Sequence, residues 1–331
     1  MVTVGEIGEK ELIERFSRRI EFLPGMPVPH WDDVNAVSLG GGRCAVLKTD
    51  MLVWRTDVPA GMTPYQAGRK TVVMNFSDLG AKGVRPQAFL ASMGAPSTTP
   101  VEWVEEIARG FSDGAREYGG WIIGGDTNEA CDIILSGMAY GVGEERRLML
   151  RGTSHPGDVL ATTGGFGHTT AAFKILLEGA DAPAQLRERL VESVYMPRAQ
   201  VDAGVALAAT GAATSCMDSS DGLAVSLHDL RRSSGNGFRL TRIPLTPDAE
   251  LFAELHELNR VSLALYGGEE YELVFTVKRD NVETARNALR EVGANLIELG
   301  EVTPNKRIVY VENGAEKEIG SGGWEHFRGL K

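Results

Sequence analysis

The chain has 331 residues, a length typical of about two domains and too long for one ordinary hydrophobic core. Hydrophobic residues make up 43% and charged residues 24%, which indicates a globular chain rather than a disordered one. The net charge of -11 argues against nucleic acid as a partner, because surfaces that bind it are rich in Lys and Arg.

The cysteine pattern and the lack of long apolar runs indicate in which cellular compartment the protein is expected. Cys44, Cys131 and Cys216 are far apart and form no CxxC motif, which argues against a disulfide framework or a zinc ribbon and favours a reducing compartment. The first ten residues are charged, unlike a secretory signal, and no 18-residue apolar run predicts a transmembrane helix. We therefore expect a cytoplasmic protein without a membrane partner.

The first half of the chain is predicted to alternate strands and helices. Helical spacing of apolar residues covers 5–20, and the strands on either side of the glycines at 40–42 predict a β-hairpin. A helix over 64–83, a strand over 85–95, a helix over 100–118, a short buried strand at 121–127 and a strand over 132–143 follow. This order, β-β-α-β-α-β-β, indicates a mixed α/β layer.

A stretch rich in charge, Gly and Pro over 143–158 is predicted to join two domains, 1–148 and 149–331. The second domain is predicted to begin with a strand, a Gly-rich turn and a helix from residue 159. Helices near 184–193, 198–209 and 281–292, a strand-to-helix turn within 214–235, a turn that becomes a strand within 267–277, and strands near 238–245, 296–302 and 307–312 complete it.

Acidic residues stand at the ends of these elements, next to small residues. They are Asp32, Asp33, Asp50, Asp78, Asp126, Asp218, Asp221, Glu269 and Glu270. Two Ser-Asp pairs, at 77–78 and 220–221, are predicted to lie at helix starts, where capping alone would explain them. Because the ends of strands in α/β folds converge on one cleft, we expect seven or more carboxylates to share a site.

Such a site would need cations, since mutual repulsion would otherwise raise the pKa values of the carboxylates. Mg²⁺ is bound by carboxylates together with substrate phosphates, which suggests ATP as the ligand. Other chemistries lack their motifs: the sequence has no HExxH, no GxSxG and no GxxxxGK[ST]. If phosphates bind here, metal held by carboxylates must replace the lysine of a P-loop.

Six motifs together carry a family resemblance. They are DD at 32–33, TD at 49–50, NxSD at 75–78, GGDT at 124–127, DxSDGL at 218–223 and GGEEYEL at 267–273. In this order they resemble the thiamine-monophosphate kinase family, within the ATP-binding superfamily of aminoimidazole ribonucleotide synthetase. The resemblance runs from about residue 6 to GGWEHF at 322–327. Each motif alone is weak, and their combination is specific.

The resemblance implies a two-domain, mixed α/β fold like that of aminoimidazole ribonucleotide synthetase. Its N-terminal domain would be an ATP-binding mixed sheet with helices, and its C-terminal domain an α/β sandwich. It also implies a homodimer formed through the N-terminal sheets. The implied activity is direct transfer of the γ-phosphoryl group of ATP to thiamine monophosphate with several Mg²⁺ ions, the need for a monovalent cation being left open.

Site residues follow from the same resemblance. The implied magnesium ligands are Asp33, Thr49, Asp50, Asp78, Asp126, Asp218 and Asp221. The implied nucleotide or phosphate contacts are Gly125, Asp126, Arg151 and Ser220. The implied thiamine contacts are Asp57, Glu269 and Trp324. No side chain is expected to act as a covalent nucleophile, because phosphoryl transfer depends on positioning and charge neutralisation.

Three positions depart from the family pattern. Trp31 replaces a usual Gly, although Trp does not freely adopt a positive φ. Lys48 stands where small polar residues such as Ser are common, which predicts an altered outer metal site, and Asp57 is often His. Two alternatives stay open at this point: an enzyme like aminoimidazole ribonucleotide synthetase, and a nucleotide- or metal-binding module without turnover.

Overall fold

The computed structural model describes residues 2–323 and residue 327. Its first half contains helices α1 (Val4–Ser17), α2 (Trp54–Asp57), α3 (Pro64–Ala81) and α4 (Val101–Glu117) and strands β1 (Asn35–Gly40), β2 (Arg43–Val53), β3 (Pro86–Ala95), β4 (Trp121–Glu129) and β5 (Ile134–Glu144). These strands form one sheet in the order β1-β2-β5-β3-β4. β3 and β4 pair in parallel and the other neighbours antiparallel, so the sheet is mixed as predicted.

The second half contains a seven-stranded sheet in the order β12-β11-β8-β10-β6-β9-β7. Its strands are β6 (Val159–Thr162), β7 (Ala213–Asp218), β8 (Gly237–Leu240), β9 (Leu273–Val277), β10 (Ile297–Thr303), β11 (Ile308–Glu312) and β12 (Ala315–Glu318). Its helices are α5 (His168–Leu177), α6 (Ala184–Tyr195), α7 (Val201–Thr210), α8 (Leu223–Ser234), α9 (Pro247–Leu255), α10 (Arg260–Leu265) and α11 (Val282–Glu291). No helix in the described part of the chain is long and apolar enough to cross a membrane.

Helix α3 lies at the centre of the molecule. Thr63 caps it with a capping box, in which its backbone N–H donates to Oε1 of Gln66 at 2.9 Å, and Pro64 occupies the first turn. The helix packs against β2 and β5 of the first sheet and against α4 and α7. It is therefore buried almost all round, and its apolar residues form no narrow stripe.

Small residues let the two halves approach closely. A Cβ added to Gly204 of α7 would lie 1.8 Å from the carbonyl oxygen of Gly80 in α3. A Cβ on Gly83 would lie 2.1 Å from Cβ of Ala208. Neither glycine can be replaced without moving backbone, so α3 and α7 are in direct main-chain contact.

The first sheet has one face against the helices and one face open. A Cβ on Gly137 of β5 would meet Phe89 and Asn75, so the row containing Gly137 faces α3. The opposite face carries exposed apolar side chains: Val37 (42% exposed), Leu39 (55%), Met51 (57%) and Trp121 (59%). Every residue of β4 is exposed, so the prediction that 121–127 is buried is wrong, because β4 is the edge strand.

Other differences from the sequence predictions have local causes. Asp78 lies in the last turn of α3 and not at a helix start, because the helix runs unbroken from its Thr63 cap to Ala81. The residue that precedes α8 is Gly222, so Ser220–Asp221 is not its N-cap either. The short elements α2, α9, α10 and β12 were not predicted, and α1 ends at Ser17 rather than at residue 20.

Candidate active site

Three buried carboxylates converge where the two halves meet. Asp33 precedes β1, Asp78 lies in the last turn of α3 and Asp218 ends β7. Each offers an oxygen, and these oxygens lie within 4.8 Å of one another. Carboxylates of this kind are hard oxygen ligands that suit Mg²⁺. We call Asp33, Asp78 and Asp218 the acidic cluster; it is smaller than the group of seven or more that the sequence led us to expect.

The cluster carries more negative charge than its surroundings neutralise. Burial, together with repulsion from Asp218, Asp50 and Asp33, raises the pKa of Asp78 well above its ordinary value despite the nearby ammonium of Lys48. Burial and the charge of Asp33 raise the pKa of Asp218 to about 6, although Oγ of Ser77 donates to its carboxylate at 2.5 Å. A bound cation would relieve both effects, so these residues fit a metal.

Asp33 differs from the other two because it is already paired. Nζ of Lys82 lies 2.5 Å from its Oδ2, and Arg151 donates from Nε to its Oδ1 at 2.7 Å. Burial opposes ionisation, but these two cations outweigh it and hold the pKa of Asp33 below its ordinary value. Lys82 also lies 2.6 Å from Asp32 and donates to the carbonyl oxygens of Met149 and Cys216 at 3.0 and 2.6 Å.

Trp31 adopts the positive φ that a glycine would take, with a value of 78°. Nη1 of Arg151 donates to its carbonyl oxygen at 3.2 Å, and the guanidinium of Arg232 lies 5.4 Å from the centre of its ring. The backbone N–H of Arg151 donates to Asp32 at 2.9 Å. The loop thus keeps a left-handed conformation that costs roughly 1–2 kcal/mol in a residue with a Cβ.

On β2, Lys48 and Asp50 extend the acidic cluster. Nζ of Lys48 lies 3.2 Å from Oδ1 of Asp50 and 3.1 Å from Oδ2 of Asp78. The backbone N–H of Asp50 donates to Oδ1 of Asn75 in α3 at 2.9 Å, which fixes the strand against the helix. Thr49 is exposed, and its hydroxyl donates to the carbonyl oxygen of Gly137 at 2.8 Å.

Gly125 and Asp126 do not join the acidic cluster. In the sheet register Asp50 is opposite Gly137, Gly137 opposite Ala91, and Ala91 opposite Gly125. Gly125 therefore lies in the row of Asp50 that faces α3, and a Cβ there would lie 1.8 Å from the carbonyl oxygen of Ala91. Since side chains alternate along a strand, Asp126 points to the open face, where it is exposed.

The loop after β7 meets the GGEE segment. The backbone N–H of Glu269 donates to the carbonyl oxygen of Ser220 at 2.5 Å, and Asp221 is exposed in the same loop. Glu269 and Tyr271 both have positive φ, 65° and 53°. This conformation turns the Glu269 side chain toward the first half of the molecule, where it meets Lys70.

Lys70 connects two of the predicted substrate contacts. Its Nζ lies 2.6 Å from Oε1 of Glu269 and donates to the carbonyl oxygen of Asp57 at 3.2 Å. The Asp57 carboxylate itself accepts from the backbone N–H of Val53 at 2.7 Å. Oε2 of Glu269 is buried and has no hydrogen-bond partner among the described residues. The third predicted contact, Trp324, lies outside the described residues.

Lys70 and Lys82 were missed by the sequence reasoning. Both are fully or almost fully buried, Lys70 within α3 and Lys82 directly after it. The available signal was a pair of lysines in a segment, 64–83, whose other residues are largely apolar or small. A buried lysine requires an anionic partner, so each could have been assigned to an acidic site.

Comparison with known proteins gives the family. Residues 31–143 match the model of the AIR synthase related protein N-terminal domain, and residues 155–312 match that of the C-terminal domain. A thiamine-monophosphate kinase of Pyrococcus horikoshii is 37% identical over 86% of this chain and 86% of its own length. The chain belongs to the thiamine-monophosphate kinase family. A relative in this family from Nitrosopumilus maritimus is 33% identical over 98% of this chain and 100% of its own.

Solved structures agree with this family assignment. AaThiL complexed with AMPPCP and TMP superposes with a TM-score of 0.86 and 25% identity, covering 98% of this chain and 99% of its own. The protein tt0281 from Thermus thermophilus has a TM-score of 0.84 at 31% identity, covering 93% and 97%. The expected two-domain fold like that of aminoimidazole ribonucleotide synthetase is therefore confirmed, as is the resemblance to the thiamine-monophosphate kinase family.

Proposed function

We propose that this chain is the kinase that converts thiamine monophosphate to thiamine diphosphate, by direct in-line transfer of the γ-phosphoryl group of ATP. The observation that carries the proposal is the acidic cluster of Asp33, Asp78 and Asp218, buried between the two halves of a chain of this family. The AMPPCP and TMP bound by AaThiL support ATP and thiamine monophosphate as the substrates.

In this proposal the acidic cluster holds Mg²⁺, with Asp50, Thr49 and Asp221 at its margins. Mg²⁺ supplies charge neutralisation on the phosphate oxygens during transfer. Arg151 has the planar fork that suits phosphate oxygens, and Ser220, in the loop after β7, is a further proposed nucleotide contact. Gly125 and Asp126 are three strand spacings from Asp50, about 14 Å, and the Asp126 side chain points to the open face, so only the main chain at Gly125 is proposed to border the nucleotide on the side of α3.

Glu269 and Asp57 are the proposed thiamine contacts. The buried, unpartnered Oε2 of Glu269 is an acceptor that suits the amino group of the aminopyrimidine. The acceptor phosphate is largely ionised at neutral pH, since its second pKa is about 6, so no strong general base is required. Trp324 is the proposed stacking partner of a thiamine ring.

We further propose a homodimer that covers the open face of the first sheet. The exposed side chains of Val37, Leu39, Met51 and Trp121 form the apolar patch that a second copy would bury. Size-exclusion chromatography with light scattering tests this. Trp121→Glu is expected to give a monomer, and a native chain that elutes as a monomer at micromolar concentration overturns the dimer.

The activity is tested by incubating the protein with Mg-ATP and thiamine monophosphate and separating ADP and thiamine diphosphate by chromatography. One ADP is expected for each thiamine diphosphate. Turnover of an aminoimidazole ribonucleotide synthetase substrate would support that alternative instead. If the protein binds nucleotide but forms no product from either substrate, it is a non-catalytic nucleotide-binding module, and the proposal that it is a kinase is overturned.

A further inference from the structure

Lys48 occupies a position in which a cation is shared by two carboxylates. It lies on β2 two residues before Asp50, so both side chains share the face toward α3. Its Nζ is 3.2 Å from Asp50 and 3.1 Å from Asp78, which comes from the helix. The Lys48 side chain is 21% exposed, so it is largely but not completely buried.

The other cations of the site lie elsewhere. Lys82 contacts Asp32 and Asp33, and Arg151 contacts Asp33 and Asp229. Among the described residues, Lys48 is the cation paired with Asp50 and with Asp78. Without its charge, these two carboxylates and Asp218 would repel one another across a buried space, a situation that a metal ion resolves.

We infer that the Lys48 ammonium takes the place of one divalent ion at the Asp50–Asp78 side of the acidic cluster. The inference rests on the proposed function only in naming a nucleotide as the ligand. An ammonium has three N–H donors, and two are directed at Asp50 and Asp78. The third would be available to a phosphate oxygen of the nucleotide. Lys48 is thus a built-in cation that reduces the number of metal ions the site takes.

Counting bound Mn²⁺ tests this directly. The full chain, Lys48→Ser and Lys48→Arg are titrated with Mn²⁺ in the presence of AMPPCP, and free ion is measured by electron paramagnetic resonance. Lys48→Ser, which opens the position and removes the charge, is expected to bind one more Mn²⁺ per chain than the native protein. Lys48→Arg, which keeps the charge, is expected to bind the native number. An equal or smaller count for Lys48→Ser overturns the inference.

Further variants and the choice of nucleotide show whether a change in the number of bound ions has a cause other than the loss of Lys48, such as misfolding or loss of activity. Lys278→Ser removes an exposed lysine beyond β9 and is expected to leave the count unchanged. If Lys48→Ser does not fold, as judged by thermal unfolding, Lys48→Gln replaces it and is expected to gain the same ion. Because the titration uses a non-hydrolysable nucleotide, the count is obtained even if the protein has no kinase activity, so the two proposals fail separately.

Melting temperatures in EDTA give a second readout. Both proteins lose the metal of the acidic cluster in EDTA, but native protein keeps the Lys48 charge, so chelation is expected to lower its Tm less than that of Lys48→Ser. Lys48→Ser loses that charge, so its Tm is expected to fall in EDTA and to recover with Mn²⁺. Equal responses to EDTA in the two proteins would contradict the assignment.

Discussion

The ammonium of Lys82 lies 2.5 Å from Oδ2 of Asp33, and both side chains are completely buried. The same ammonium contacts Asp32 and the carbonyl oxygens of Met149 and Cys216. One charge therefore joins the loop before β1, the segment between the sheets and the strand that carries Asp218. Asp33 depends on this contact for its position in the acidic cluster.

Replacing Lys82 by Met is expected to destabilise the protein by about 3–5 kcal/mol, because it leaves buried carboxylates without their partner. Urea denaturation followed by circular dichroism measures the change. Lys278→Met, at an exposed position, is the matched control and is expected to shift stability by less than about 0.5 kcal/mol. A loss below about 1 kcal/mol for Lys82→Met would show that the burial of this ion pair contributes little.

Asp78→Asn is expected to lower kcat at least about 100-fold while the fold survives, because a metal ligand is lost and the amide retains the shape. Its Tm in metal-free buffer is expected to hold or rise, since the change removes a charge whose pKa is already raised by burial and by Asp218. Asp202→Asn, at an exposed pair with Arg85, is the control. Full activity in Asp78→Asn would remove Asp78 from the proposed metal ligands.

Residue 31 offers a test of backbone strain. Trp31→Gly relieves the positive φ and loses the ring contacts, whereas Trp31→Ala loses the contacts and keeps the strain. The glycine variant is expected to be more stable than the alanine variant by about 1 kcal/mol, after allowing for the greater chain entropy of Gly. Denaturant unfolding of the two variants side by side measures this difference, and the opposite order would mean that the loop relaxes out of the left-handed conformation.

Glu272 is expected to contribute to a fall in stability between pH 5 and pH 8, together with Glu270 and Asp218, because burial raises the pKa of Glu270 to about 7 and that of Asp218 to about 6. Burial raises the pKa of the Glu272 carboxyl from 4.5 to about 7, outweighing the hydrogen bonds from Thr163 and Gln200. A raised folded-state pKa favours the protonated form, so the contribution of Glu272 to stability is greatest below pH 4.5 and is lost as pH rises through 7. The shift corresponds to roughly 3 kcal/mol.

Glu272→Gln is expected to reduce this dependence by the share of Glu272, because an amide does not ionise, while the shares of Glu270 and Asp218 remain. Unfolding free energies at pH 5 and pH 8 give the measurement, with the exposed Glu291→Gln as the control that should keep the native slope. If Glu272→Gln keeps the native slope as well, the Glu272 carboxyl does not contribute to the pH dependence.

Much of the fold was predictable because the periodic elements are long and regular. The hairpin over 35–53, the helices α3 and α4 and the alternation of strands and helices along the first half followed from apolar spacing and glycine positions. The short α2, α9 and α10 did not, because helices of four to nine residues leave little periodicity and depend on tertiary contacts. The exposure of β4 depends on its place at the sheet edge, which no local pattern encodes.

The sequence predicted which residue types form the site, but it did not predict how they are arranged in space. Asp33, Asp78 and Asp218 do converge, as the clustering of acids at element ends suggested. The separation of Asp126 from them depends on the register between β3 and β4, which is a property of the pairing and not of either strand alone. Lys70 and Lys82 were overlooked because their partners lie in distant parts of the chain.

The contact between Gly204 and Gly80 determines how the two halves can move. With the main chains of α7 and α3 touching, rotation of one half against the other would drive a helix backbone into its neighbour. We therefore expect this junction to resist sliding of one half along the other. Substrate entry and exit would then depend on movement of the loops around the acidic cluster, and we expect turnover to respond to changes in those loops more than to changes at the junction.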